Sequence, residues 1–332
     1  MVVNATARSR RDVVVTMVAT LGVQVASRFA RSLRETGSGC TLILLLPRTN
    51  ASLELVALLK EWDVMPHFYD QKRTPFSELK GNRAKLIRYW AALDYLLTQR
   101  ELHAAGRVLL ADSRDVIFQR NPFTIPADAS RPLDIFFEDY LRNFANSGIN
   151  QGHVVPCFGS DAVKRVLLTP PRPVSCSGVT LGSYPAVVAY LDAMWSEMRK
   201  SRYSSQCLQH DQAFHNMLLW TGKLSEATGG VRAFSNENGP VTTVGWPQHL
   251  YRDRFGRVLN RRGEVVHLVH QYDRRKRLLT SLGARYALVS KPEAPPRDAA
   301  PVDTAAGFRN GWPMGWPPAP HAGPSRTARR HI

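Results

Sequence analysis

The chain of 332 residues is short of acidic side chains: 27 Asp and Glu stand against 44 Lys and Arg, which gives a formal net charge of +17. A basic surface of this size favours anionic partners such as nucleotides, nucleic acid, acidic glycans or membrane surfaces. The sequence has no basic motif interleaved with aromatics and no zinc-finger spacing. We therefore expect no nucleic-acid partner.

Cysteine is also scarce. The four cysteines, Cys40, Cys157, Cys176 and Cys207, are widely spaced and include no C-x-x-C pair. This pattern argues against a zinc site, and a chain of this length needs no disulfide scaffold to fold. The even count permits one or two disulfides without requiring them.

Long hydrophobic runs are absent as well. The apolar run near the N-terminus, Val13 to Val25, is interrupted by polar residues and glycine and is rich in β-branched residues. It is too short and too polar to span a bilayer, and no signal-peptide cleavage pattern follows it. We interpret it as the first strand of a sheet, and we expect no transmembrane segment.

Apolar runs typical of strands alternate with stretches of helical periodicity along most of the chain. This alternation predicts βαβ units, hence an α/β fold with a mostly parallel central sheet flanked by helices. We expect one such domain over residues 10–290. From Lys291 proline, alanine and glycine dominate, so residues 291–332 are predicted to be a disordered Pro-rich tail.

The stretch from Arg107 to Phe123 carries the most chemical information. A short buried strand, Val108 to Ala111, leads into Asp112 and Asp115, with Arg114 between them. Carboxylates at the carboxyl end of such a strand stand where open α/β sheets bind ligands, and hard oxygen ligands suit Mg²⁺ or Mn²⁺. Positions three apart on a strand point to opposite sides, so the two can converge only if a turn intervenes. The alternative is a solvated turn in which Arg114 pairs with one of the carboxylates.

A basic helix precedes this stretch. Leu86, Trp90, Leu93 and Leu97 repeat with helical periodicity, which predicts a helix from Arg83 to Arg100. Its other side carries a cluster of basic residues: Lys80, Arg83, Lys85 and Arg88. Contact of Arg83 or Lys85 with a diphosphate and a merely solvated face are both open interpretations.

Three later segments complete the candidate site. Strand-like residues around Ser177 and Gly178 indicate a close approach of ligand to backbone. Asp211 begins a further helix, either as its N-cap or as a carboxylate presented to the ligand. A short strand, Val265 to Val269, precedes His270, and His267 is its competitor as a ligand.

Four motifs occur together in this order: D-x-R-D-V-x-F-Q-x-x-P-F from Asp112, C-S-G-x-x-x-G from Cys176, D-Q-x-x-H-N from Asp211, and H-Q-Y-D-R from His270. The chain thereby resembles nucleotide-diphospho-sugar transferases of the GT-A (Rossmann-like) fold, most closely a eukaryotic group of uncharacterised glycosyltransferase-like proteins. The resemblance covers most of residues 12–275. It departs from the family's D-x-D motif, because the two aspartates are one residue further apart.

The resemblance implies a divalent metal, Mn²⁺ or Mg²⁺, bound by Asp112, Asp115 and His270, with Gln271 and Tyr272 supporting the imidazole from behind. It implies Asp211 as the catalytic or sugar-orienting carboxylate. Residues implied to bind the nucleotide-sugar are Thr16, Arg83, Lys85, Asp112, Arg114, Ser177, Gly178 and Gln212.

We therefore expect a glycosyltransferase that moves a sugar from a nucleotide-diphosphate sugar, a UDP-sugar by resemblance, to a glycan, protein or lipid acceptor. Two alternatives stay open: a non-catalytic basic binding module on a degenerate GT-A fold, and a metal-dependent phosphohydrolase. The resemblance suggests the secretory pathway, with the Golgi as the expected compartment, although no anchor is visible.

Overall fold

A computed structural model describes residues 11–17, 22–47, 53–70, 84–139, 141–200, 203–204, 206–246, 249–286, 308–309 and 312–313. The strands within these ranges are β1 Val13–Met17, β2 Thr41–Pro47, β3 Val64–Tyr69, β4 Arg107–Ala111, β5 Val116–Phe118, β6 Leu133–Phe137, β7 Ser175–Ser183, β8 Val231–Phe234, β9 Val241–Thr243, β10 Tyr251–Arg252, β11 Val258–Leu259, β12 Leu268–His270, β13 Phe308–Arg309 and β14 Trp312–Pro313.

The helices are α1 Val23–Glu35, α2 Leu53–Glu61, α3 Ala84–Thr98, α4 Arg100–His103, α5 Gly148–Phe158, α6 Ser160–Leu167, α7 Tyr184–Met198, α8 Asp211–Trp220, α9 Lys223–Thr228 and α10 Lys276–Arg285.

Seven strands form the central sheet, in the order β3-β2-β1-β4-β7-β6-β8. Its strands pair in parallel except β7, which runs antiparallel to both β4 and β6. The expected α/β fold with a mostly parallel central sheet is confirmed. The reversal of β7 matters for the site, because it places Val179 beside Ala111, the last residue of β4, and Gly178 beside Asp112.

Helices cover both faces of this sheet, as the near-continuous apolar strands require. Alternate residues of β1 separate the two layers: Val13 and Val15 pack with α3 and α7, whereas Val14 packs with α1 and α2. Trp90 and Leu93 lie on the buried side of α3, but Leu97 is 55% exposed near the end of the helix. The apolar periodicity therefore located this helix correctly, although its last apolar residue reaches solvent.

A second, three-stranded sheet lies at the carboxyl end of β4, in the order β5-β12-β9. The predicted strand from Val265 to Val269 is displaced: β12 is Leu268–His270, paired with β5 and β9. Val265 and Val266 instead bond to β11, through a bridge with Leu259 and a backbone hydrogen bond to Val258. The available partner strands, rather than β-branched composition, set the bounds of β12.

One disulfide, Cys157–Cys207, joins the end of α5 to the turn before α8. Cys40 and Cys176 are free and buried. In the part of the chain that the structure describes, no helix has both the length and the apolarity to cross a bilayer. The predicted tail, residues 291–332, lies outside the described residues except for β13 and β14, which pair antiparallel; its disorder stays a prediction.

A buried histidine makes the fold sensitive to acid. His215 of α8 is fully buried between the hydroxyls of Ser175 and Tyr190, at 2.8 and 3.0 Å, and burial lowers its pKa from 6.5 to about 4. The unfolded chain therefore takes up the proton first as pH falls. Stability from this group is complete above pH 6.5 and is lost toward pH 4, about 3 kcal/mol in all.

We expect denaturant unfolding to show this loss in the wild type and to show a smaller pH slope in His215→Gln over the same window. His249→Gln, at an exposed position, is the control. An unchanged slope in His215→Gln would contradict the assignment.

Candidate active site

The centre of the site is the turn between β4 and β5. Asp112 follows the last residue of β4, and residues 113–115 form a turn that ends where β5 begins. The backbone N–H of Asp112 donates to the carbonyl of Gly178 in β7, at 2.8 Å, which fixes the turn against the reversed strand. The turn required for the two aspartates to converge is thus present.

His270 arrives from the second sheet. It is the last residue of β12 and pairs with Val116 of β5, one residue beyond Asp115. Its Nε2 atom lies 3.4 Å from Oδ1 of Asp115 and 3.8 Å from Oδ2 of Asp112. The strand pairing therefore brings His270 to two aspartates that lie more than 150 residues earlier in the sequence.

These three side chains fit a divalent cation. Potential ligand atoms of Asp112, Asp115 and His270 all lie within 4.8 Å of one another. Oδ1 of Asp115 and Nε2 of His270 are buried without a hydrogen-bond partner. Unpaired buried polar atoms are costly, and a cation bound between them would satisfy both. Two carboxylates and an imidazole form a ligand set that suits Mn²⁺ or Mg²⁺.

The other imidazole nitrogen is held by a thiol. Nδ1 of His270 lies 3.5 Å from Sγ of Cys176. The neutral tautomer that carries its proton on Nδ1 would donate to sulfur and present the Nε2 lone pair to a cation. Gln271 and Tyr272 do not support the ring in the expected way. Gln271 donates its backbone N–H to the carbonyl of Asp115, and Tyr272 packs in the small apolar cluster around α10.

Opposite charges in the site shift the pKa values of Asp112, Asp115 and His270 toward their ionised forms. Burial would raise the pKa of Asp112 and Asp115, but the nearby cationic groups outweigh it and hold both below the ordinary value: Arg88 and His270 for Asp112, His270 and Arg114 for Asp115. Burial would likewise lower the pKa of His270, but Cys176, Asp115 and Asp112 hold it well above its usual range. The carboxylates are thus kept ionised, as metal ligands must be.

Arg88 of α3 links the two acidic groups of the site. Its guanidinium donates one N–H to Asp112 and another to Asp211, and it also bonds the Tyr89 hydroxyl and the Ser177 carbonyl. Arginine is suited to this role because its fork presents several donors in a fixed plane. Arg88 therefore sets the distance between α8 and the turn that carries Asp112 and Asp115.

Asp211 is the first residue of α8, and His210 occupies the N-cap position without a side-chain cap bond. The carboxylate of Asp211 is instead bonded by Arg88, Tyr89 and Ser177, so it does not cap the helix. Beside it, Nε2 of Gln212 donates to Glu138 and Asn150, both at 2.9 Å. The start of α8 thus presents an oriented carboxylate and an oriented amide.

A single cavity of about 530 Å³ contains the whole arrangement. Every candidate residue that the structure describes lines it: Thr16, Lys85, Asp112, Arg114, Asp115, Ser177, Gly178, Asp211, Gln212 and His270. Arg83 lies outside the described residues.

Several of these residues are already engaged within the chain. The hydroxyl of Thr16 donates to the carbonyl of Ala111, at 2.6 Å, and so ties β1 to β4. Arg114 pairs with Asp115 at 3.0 Å and Asp273 at 3.3 Å, as the alternative interpretation of the turn proposed. His267 does not join the metal-binding group, because its Nε2 bonds the Thr124 hydroxyl at 3.1 Å. Its role is structural.

Sequence reasoning missed several residues of the cavity. Arg88 was grouped with the basic face of its helix, but only its pairing with Asp112 and Asp211 distinguishes it from Lys85. Glu138, directly after β6, and Trp246 also line the cavity, and Nε1 of Trp246 lies 3.4 Å from Oε2 of Glu138. The carboxyl end of the parallel strand β6 was the available signal for Glu138.

Gly178 cannot carry a side chain without displacing the metal-binding group. A Cβ atom there would lie 2.5 Å from Cε1 of His270 and 2.7 Å from Oδ2 of Asp112. We expect Gly178→Ala to weaken Mn²⁺ binding at least about tenfold, because precise placement of ligands governs metal affinity. Calorimetric titration with Mn²⁺ measures this.

Gly152→Ala, in α5, is the matched control, since nothing lies within 4 Å of its added carbon. It should bind Mn²⁺ as the wild type does. Equal affinities of Gly178→Ala and the wild type would show that the ion does not bind at this turn.

No protein-family model and no curated protein matches the chain. Among solved structures, the chain is similar to a galactosyltransferase, LgtC, in complex with donor and acceptor sugar analogues: 17% identity over 85% of this chain and 98% of that one, TM-score 0.47. It is also similar to glucosyl-3-phosphoglycerate synthase from Mycobacterium tuberculosis with Mn²⁺, UDP-glucose and phosphoglyceric acid: 12% identity, 69% of this chain and 71% of that one, TM-score 0.36. Both TM-scores lie below 0.5.

Proposed function

We propose that this chain is a metal-dependent glycosyltransferase that takes its sugar from a nucleotide-diphosphate sugar. The observation that carries the proposal is the convergence of Asp112, Asp115 and His270, with two unpartnered buried atoms, at the carboxyl end of β4. Ligands of open α/β sheets bind at this edge. The cavity is large enough for a small-molecule ligand, since ligand pockets begin at roughly 300 Å³.

Asp112, Asp115 and His270 would hold Mn²⁺ or Mg²⁺, which when bound supplies Lewis-acid stabilisation of the departing diphosphate. The chain's own residues do the positioning. Arg88 holds Asp112 and Asp211 at fixed separation, so the donor's diphosphate and its sugar ring are received by groups that are already oriented. In the reaction, the bond from the anomeric carbon to the diphosphate breaks, the oxygen of an acceptor hydroxyl forms the new bond to that carbon, and the hydroxyl proton passes to the departing nucleoside diphosphate.

For Asp211 we infer an orienting role toward the sugar. Oδ2 of Asp211 is bonded by Arg88 and faces the hydroxyls of Tyr89 and Ser177, at 3.2 and 3.4 Å. A carboxylate held by an arginine keeps a fixed orientation and is a firm hydrogen-bond acceptor for a sugar hydroxyl. Donation by the Gln212 amide to Glu138 and Asn150 fixes the orientation of this amide beside Asp211.

A panel of sugar nucleotides tests the proposal. We expect one donor class, UDP-sugars first, to release nucleoside diphosphate in the presence of Mn²⁺ and to stop doing so when EDTA is added. Asp115→Asn should lose this release, and Asp161→Asn, at an exposed position of α6, is the control for loss of one negative charge. Failure of every nucleotide-sugar to bind with Mn²⁺ would overturn the proposal and favour the non-catalytic binding module.

Phosphate esters as substrates distinguish a glycosyltransferase from a phosphohydrolase. Such an enzyme would release inorganic phosphate from simple phosphate esters. Within the described ranges, Asp112, Asp115 and His270 are the one group of three or more metal-binding side chains that lie together. No specific observation therefore favours a hydrolase with a second metal.

We also propose an oxidising compartment, consistent with the secretory pathway. The support is the disulfide between Cys157 and Cys207, since disulfides persist mainly in secreted and organellar proteins. Non-reducing peptide mapping of the protein from its native cells would show the linked peptides. Recovery of both cysteines as free thiols would contradict it.

A further inference from the structure

We propose that the chain docks on an anionic phospholipid surface through a basic face next to the active-site cavity. This basic face comprises the β10–β11 hairpin, residues 251–259, and the residues that lead into α10, Arg274 to Leu279. The proposal goes beyond the glycosyltransferase function and is tested without any measurement of activity.

Positive charge is concentrated in a second cavity on this face. Among the described residues, the cavity of about 590 Å³ is lined by five cationic side chains and by no acidic one: Arg252, Arg274, Arg275, Lys276 and Arg277, with Leu250 and Leu278 at its walls. Such a concentration of one sign favours an anion at the surface. A phospholipid headgroup phosphate satisfies this charge.

The acidic residues nearest in sequence are already paired. Asp253, in the hairpin, bonds Arg257 at 2.6 Å, and Asp273 pairs with Arg114 at 3.3 Å. Both carboxylates thus have a cationic partner outside the cavity, and Asp273 also interacts with the charge of Arg274.

Exposed apolar side chains accompany this charge. Phe255, at the hairpin turn, is 62% exposed, Tyr251 is 43% exposed, and Leu279, one turn into α10, is 38% exposed. The guanidinium groups of Arg254 and Arg257 lie over the Phe255 ring, 4.7 and 5.6 Å from its centre. Aromatic side chains next to arginines are typical of protein segments at a membrane interface, because the aromatic ring inserts into the headgroup region and the guanidinium groups bind lipid phosphates.

The apolar component distinguishes a lipid surface from a soluble polyanion. A polyanion would gain from the cations alone, whereas a bilayer also gains from burial of Phe255, Tyr251 and Leu279. Arg274 lines both cavities, so a docked bilayer would lie beside the opening of the active site. The face thus fits an anionic membrane as partner.

Vesicle co-sedimentation provides the test. We expect the full chain to bind phosphatidylcholine vesicles that contain phosphatidylserine, and to bind pure phosphatidylcholine weakly. The triple variant Arg252→Gln/Lys276→Gln/Arg277→Gln should lower the partition coefficient by about a hundredfold, since each cation near such a surface contributes about fivefold. Phe255→Ser should weaken vesicle binding but leave the affinity for heparin unchanged.

The matched control is Lys164→Gln/Arg165→Gln/Arg199→Gln, which removes the same charge from exposed positions on α6 and at the end of α7. It should keep nearly all vesicle binding. Equal losses in the two triple variants would overturn the proposal in favour of non-specific attraction. Tight heparin binding with no effect of Phe255→Ser on vesicles would overturn it in favour of an acidic glycan.

Discussion

Asp115→Asn should abolish Mn²⁺-dependent binding of UDP, and Asp112→Asn should weaken it less. Asp115 is buried, and its Oδ1 atom has no hydrogen-bond partner, so this atom is available to a cation. The side chain of Asp112 is 35% exposed and already bonded to Arg88. Loss of groups that merely support metal ligands costs about 10- to 100-fold in affinity, so loss of Asp115 should exceed about a hundredfold.

Calorimetric titration of UDP with Mn²⁺ and with EDTA measures both variants. Asparagine keeps the volume of aspartate, so circular dichroism should show an unchanged fold, and Asp161→Asn should bind as the wild type does. The reverse order of the two variants would assign Asp112 as the principal ligand.

Arg88→Met should lower the free energy of unfolding by about 3 kcal/mol. Removal of one partner from a buried ion pair leaves an uncompensated charge, which costs about 3–5 kcal/mol, and we take the low end because Asp112 is partly exposed. Denaturant unfolding at neutral pH measures the change. Donor binding should fall in parallel, since Asp112 and Asp211 lose their common support.

A double-mutant cycle with Asp211 identifies the cause of the lost stability. In Arg88→Met/Asp211→Asn the buried carboxylate is removed together with its partner, so part of the lost stability should return. Arg88→Lys should be intermediate, because it keeps the charge but not the fork. A double variant no more stable than Arg88→Met would show that packing of the arginine stem, rather than charge, is what matters.

Sequence patterns predicted those parts of the fold that depend on neighbouring residues in the chain. The apolar runs of β1, β2 and β4 are buried on both faces, so composition alone marked them, and the expected turn between Asp112 and Asp115 followed from strand alternation. The limits of β12 did not follow, because Val265 and Val266 are as β-branched as Val269 but bond to β11. Reversal of β7 depends likewise on which strands are available as partners.

The site divides in the same way. Asp112 and Asp115 are predicted by their place at the end of a buried strand, and His270 by the resemblance to GT-A transferases together with the short strand before it. Arg88 looked like its neighbours on a basic helix face, and its pairing with Asp211 spans 123 positions. The C-S-G-x-x-x-G motif gives no role to Cys176, and only the approach of β12 to β7 places its sulfur beside His270.

The turn that carries Asp112 and Asp115 also joins the two sheets, since β4 belongs to the large sheet, whereas β5 and the His270 strand belong to the small one. An ion bound by all three side chains would therefore cross-link the sheets. Its binding would appear as protection of the β5 and β12 amides from hydrogen exchange and as a rise in unfolding temperature with ion concentration. By mass action the added stability is about 2.7 kcal/mol when the free ion is about 100 times its Kd. The unfolding temperature of the protein would therefore report the concentration of free ion around it.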